Sequence, residues 1–211
     1  MNKKDINLSY VAVWNQPMTM IPQLDGKFCR ELFGMPYDTV NGLTPDGYTI
    51  AVNGKPFPMV IVSPAKLVVK AQNIEKLIDY VESVKCELEK IKIPNFTLSQ
   101  VAFGINQECE IINLSEPAEN WMWSHFISND IQTDSDFHIC GRLALRIGIS
   151  ENEVANVDIE PRVGNDNAIF ININHHHNQY MESIPDAESL RNMINESLST
   201  IETKVFNKLF K

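Results

Sequence analysis

Two stretches of this chain repeat apolar side chains every three or four positions over four turns or more, and every other part must supply a surface for them. Over 73–91 the apolar positions are Ile74, Leu77, Ile78, Val81, Val84, Leu88 and Ile91, one continuous stripe of an α-helix. Asn73 is the expected N-cap, and Pro94 stops the segment after its last turn. Over 185–210 the stripe is Leu190, Ile194, Leu198, Ile201, Val205 and Leu209, with Met193 flanking it. Pro185 suits a first turn, Asp186 and Glu188 complement the positive end of the helix, and Lys204 and Lys208 complement its negative end.

The apolar surface is expected from strands that precede each helix. Ahead of the first, 48–52, 59–63 and 67–71 read as strands, with Asn53-Gly54 as a turn signal. Ahead of the second come 139–149, 154–161 and 168–174. The last two form a hairpin around Gly164-Asn165-Asp166. A three-residue loop pairs Val157 with Ile173, Ile159 with Ile171 and Pro161 with Ile169, which puts apolar residues on one face and Asp158, Glu160, Asn172 and Asn174 on the other. A two-residue loop would scramble the faces.

The order of elements repeats. Val11-Ala12-Val13-Trp14-Asn15-Gln16 is similar to Val101-Ala102-Phe103-Gly104-Ile105-Asn106-Gln107 with one inserted residue, and helical segments follow at 24–33 and 118–127. The predicted unit is β-α-β-β-β-α, present twice with a boundary near Pro94. Residues 1–93 form the first half, and 94–211 form a second, acidic half of one compact unit with a shared core. The expected class is α+β, with a mainly antiparallel sheet, or two neighbouring sheets, covered on one face by the two long helices.

Segments 59–91, then Gln100-Val101-Ala102-Phe103-Gly104-Ile105-Asn106, then 154–206 follow one layout: strand pairs into a long helix, a glycine-containing strand, and a closing helix. In this the chain resembles a family of uncharacterised, sporadically distributed bacterial proteins. The resemblance implies the duplicated strand and long-helix fold, and it implies no activity, catalytic residue or cofactor.

Composition narrows the function classes. The 211 residues are 44% hydrophobic and 21% charged, which suits a globular chain that buries a core without covalent staples. Of the 18 Lys and Arg and the 27 Asp and Glu, 11 and 10 fall before residue 93, leaving 7 and 17 for the remainder. The second half therefore repels phosphate backbones and favours basic partners, and no basic stripe with interleaved aromatics points to nucleic acid. No run of apolar residues is long enough for a bilayer, and no apolar stretch follows Lys3 and Lys4, so neither a membrane span nor a secretory signal is expected. Cys29, Cys86, Cys109 and Cys140 are scattered singly, as reduced and mostly buried thiols of a cytoplasmic protein would be.

Few residues carry visible chemistry. In His175-His176-His177 the outer two share one face of a strand, and such a pair binds transition metals. Third ligands are sought at Asp158 and Glu160, but these lie on the other face, so a solvated strand end is the competing expectation. Asp158 and Glu160 share one strand face about 6–7 Å apart, a spacing compatible with acid/base work. Trp121-Met122-Trp123-Ser124-His125-Phe126 spreads aromatics around a helix, which marks core packing or an interface built on Trp121, Trp123 and Phe126. A Cys140–His138 dyad is conceivable from their spacing alone. No dinucleotide, P-loop, nucleophile-elbow or zincin motif occurs.

The leading expectation is a non-enzymatic interaction or assembly protein, acting as a homodimer or on a protein partner, with no cofactor. The alternative is a metal- or ligand-binding protein, an enzyme among the options, with its site near His175, His177, Asp158 and Glu160. A third is an acidic holdase-like chaperone.

Overall fold

The computed structural model describes residues 2–126 and 141–210. The first half holds β1 (Asn2–Trp14), α1 (Gly26–Glu31), β2 (Thr39–Thr44), β3 (Gly47–Val52), β4 (Met59–Val62), β5 (Lys66–Ala71) and α2 (Ile74–Lys90). The second holds β6 (Gln100–Ile112), α3 (Ala118–Phe126), β7 (Leu143–Gly148), β8 (Glu153–Pro161), β9 (Ala168–His177) and α4 (Ala187–Thr200). After α4 the helix continues through a π-helical stretch, Ile201–Phe206, into α5 (Asn207–Leu209).

The described strands form one continuous antiparallel sheet in the order β2-β3-β4-β5-β1-β6-β9-β8-β7. β1 and β6 pair with each other at its centre, with a bulge between Asp5 and Asn7. That joint makes a single sheet of the two halves, where two neighbouring sheets were equally compatible with the sequence.

The strand count differs from expectation in the first half, where four strands lie between α1 and α2. The extra one is β2, whose Thr-Val-Asn-Gly-Leu-Thr run lacks a clean apolar alternation. Pairing to β3 makes it a strand, through a tight turn that sets Thr44 opposite Gly47. Gly47 is required there: its φ is +137°, and a Cβ would lie 2.5 Å from the carbonyl oxygen of Val62.

Both striped helices form, with caps that explain their starts. The Asn73 side chain accepts from the Lys76 amide and the Asp186 side chain from the Ser189 amide. Asp186 is thus the cap itself, and Pro185 precedes the helix rather than occupying its first turn. α2 packs on β5, β1 and α4, and α4 packs on β6. Leu77, Ile78, Val81, Val84 and Leu88 share a core with Tyr10, Ile50, Val60, Leu67 and Val69. A second core gathers Ile111, Ile159, Ile169, Ile171 and Ile173 with Ile201, Val205 and Trp121. Leu198 packs against both cores. Each fully buried isoleucine contributes about 1.5–3 kcal/mol relative to exposure.

The hairpin register is the expected one, with Val157 opposite Ile173, Ile159 opposite Ile171 and Pro161 opposite Ile169. The opposite sheet face is polar: Ser9, Asn106, Asn174 and Asn156 lie side by side across β1, β6, β9 and β8. Lys70 bonds Glu108 at 2.6 Å and Arg142 pairs with Asp158 at 2.8 Å on that face. Among the described residues, no helix is long and apolar enough to cross a membrane.

Candidate metal centre

The hairpin of β8 and β9 continues past its apolar rows to a polar end on the core side. Extending the same register sets Ala155 opposite His175 and Glu153 opposite His177. On its other flank His177 lies opposite Phe103 of β6, and the two rings stack at 4.3 Å with planes 8° apart. α4 closes the group from above with Ser197, which is fully buried. His175 is only 1% exposed, so the expectation of a solvated strand end is corrected. The strand is longer than its apolar pattern, and the helix lies over its end.

Ser197 stands between the two imidazoles, its Oγ 3.1 Å from Nδ1 of His175 and 3.0 Å from Nε2 of His177. Glu153 faces the opposite ring edges, with Oε1 3.5 Å from Nδ1 of His177 and Oε2 3.9 Å from Nε2 of His175. A serine hydroxyl has one proton, so it donates to one ring and accepts from the other. The Glu153 carboxylate draws the Nδ1 proton of His177 toward Oε1, which leaves Nε2 of that ring to accept from Ser197. Ser197 then accepts from Nδ1–H of His175, and Nε2 of His175 is a bare lone pair.

That nitrogen is buried and has no hydrogen-bond partner. That lone pair faces the Oε2 carboxylate oxygen of Glu153 across 3.9 Å. Leaving a buried acceptor unpaired costs about 1–3 kcal/mol. Protonation does not relieve it near neutral pH, because burial, then the neighbouring His177, holds His175 down to about 4. Burial also lowers the pKa of His177, against the opposing pull of Glu153. Two neutral imidazoles and a carboxylate are therefore presented together, the protonation states that a metal ion requires.

The ligand atoms of Glu153, His175 and His177 all lie within 4.8 Å of one another. Tetrahedral ligands at about 2.0–2.1 Å from zinc stand about 3.4 Å apart, so the three groups would draw closer to hold one ion. With an ion bound, both outer ring nitrogens carry protons, and the two lone pairs of Ser197 can accept both. Metal-bound histidines regularly donate their second N–H in this way. Ser197, His177 and Glu153 also spell hydroxyl, imidazole, carboxylate, but Ser197 is sealed from any substrate, which excludes a nucleophilic role.

One side of the group opens into a cleft walled by Glu196, Ser199, Thr200 and Lys204. Lys204 belongs to the π-helical stretch, a deviation that recurs at functional sites.

The remaining sequence candidates lie elsewhere. Asp158 and Glu160 are on the other sheet face from His175, and Asp158 is engaged by Arg142. Trp121 is buried, stacked 4.4 Å from the His125 ring, while Trp123 and Phe126 are half-buried. Cys29 and Cys109 are buried free thiols and Cys86 is an exposed one; burial pushes Cys109 up to about 12. Cys140 and His138 lie outside the described residues.

Glu153 and Ser197 were missed from sequence, and each had a signal. The hairpin register, carried four pairs beyond Val157–Ile173, sets residue 153 against 177; the predicted strand stopped one residue short. Ser197 falls three after Ile194 and four before Ile201, a hydroxyl inside an apolar stripe.

No protein-family model matches the chain, and no curated protein matches it significantly.

Proposed function

We propose that this protein binds one borderline divalent metal ion, zinc fitting best, through Glu153, His175 and His177. The observation that carries the proposal is the buried, unpartnered Nε2 of His175 facing a carboxylate oxygen. Imidazole and carboxylate ligands suit zinc and its first-row neighbours rather than calcium or copper(I). Three protein ligands beside an open cleft are the arrangement of reactive or ligand-exchanging sites, whereas purely structural zinc is closed by four.

Elemental analysis of protein purified without an affinity tag, after dialysis against zinc, tests this. About one zinc per chain is expected, with at least a tenfold weaker hold in Glu153→Gln and in His175→Ala. Absence of stoichiometric metal from the parent protein, or equal retention by the variants, rejects the proposal.

A second reading, assembly into a homodimer, is favoured by β2 at the end of the sheet. Its Val40 and Leu43 are 50% and 73% exposed, and the strand carries no charge or proline to discourage pairing. A second copy is the occupant we propose there, and a strictly monomeric native mass at high concentration would rule it out.

For the architecture, we read the halves as copies of one unit, each with its long helix over the same sheet face. The reading is supported by the mirrored strand order, in which β5 flanks β1 as β9 flanks β6.

A further inference from the structure

We infer that the open side of the metal site receives a small oxyanion, a phosphate or carboxylate group, with Lys204 as its counter-charge. The inference rests on the metal reading above. Three protein ligands leave at least one coordination position for an exogenous oxygen, and the cleft decides which oxygen.

The wall opposite the histidines offers donors. Lys204 is exposed and makes no ion pair among the described residues, although acidic groups are abundant in this half. Beside it, Ser199 and Thr200 line the same cleft, and neither side-chain hydroxyl has a hydrogen-bond partner among the described residues. An ammonium and two hydroxyls on one helical wall suit a group with several acceptor oxygens. Glu196 lines the same cleft and repels an anion, so the oxyanion lodges at the Lys204 end, one oxygen on the metal and another toward Nζ.

One divalent ion and Lys204 set against Glu153 and Glu196 leave about one positive charge, which a singly charged group neutralises, so small carboxylates and phosphate monoanions are the fitting class rather than polyanions such as nucleic acid.

The test uses full-length protein loaded with cobalt(II), whose visible absorption reports its ligands, titrated separately with inorganic phosphate and with acetate. Either anion should shift the band saturably, and Lys204→Gln should weaken that response about tenfold while cobalt affinity stays within about threefold. Glu196→Gln should leave the response intact or strengthen it. The anion that saturates at lower concentration identifies the preferred group. A shift equal in Lys204→Gln, or no shift with cobalt bound, overturns the oxyanion inference and leaves the metal site standing. Failure to bind cobalt at all overturns both.

Discussion

Ser197 links the helix to the histidine pair, and its single proton decides what each ring can do. In the metal-free protein it accepts from His175 and donates to His177; with an ion bound it accepts from both. Ser197→Ala removes this partner from two buried nitrogens and should weaken zinc binding about 10–100-fold, read by competition with a chromophoric chelator. The histidines also set an acid limit. Their folded pKa values lie below the free value of 6.5, His175 at about 4, so the unfolded chain takes up protons first as pH falls. The stability this represents is complete above about pH 6.5 and is lost toward pH 4, on the order of 3 kcal/mol for His175 alone. Chemical denaturation of metal-free protein across that range should show the loss, and His175→Asn should flatten it. At this scale the H-x-H pair was legible because strand alternation places both rings on one face. Glu153 was not, because the apolar pattern that reveals a strand fades before the strand ends. Ser197 was hidden by its place in the helical stripe.

The elements themselves follow local rules that a sequence exposes well. Apolar spacing and an Asn or Asp cap specify α2 and α4, and the β8–β9 register follows from keeping isoleucines on one side. Leu77, on the inward face of α2, is fully buried, so Leu77→Ala should cost about 2–5 kcal/mol, and each kcal/mol lowers Tm by about 2–4 °C in a chain of this size. β2 escaped notice because partner strand and turn, rather than its own composition, make it extended. Gly47→Ala is the sharper probe there. The Cβ would strike the backbone of β4, and a loss of about 1–3 kcal/mol is expected in urea melts. An unchanged midpoint would show that the β2–β3 turn is not formed as described.

For the whole molecule, the long-range joints were the least legible. A central β1–β6 pairing spans residues roughly a hundred positions apart, and only the completed sheet says whether one surface or two is built. That sheet supplies the site from three strands at once, Glu153 on β8, His175 and His177 on β9, and Phe103 stacked from β6. Metal occupancy should therefore stabilise the entire fold. At about one hundred times its dissociation constant, zinc should add about 2.7 kcal/mol, read as a rise in Tm of several degrees that Glu153→Gln cuts by about half or more.

X-ray absorption at the zinc edge of protein loaded to one equivalent addresses the central claim most directly. We predict two imidazole nitrogens and oxygen ligands at about 2.0–2.2 Å, with no sulfur shell. Sulfur at about 2.3 Å, an oxygen-only shell, or protein that retains no zinc would contradict the account.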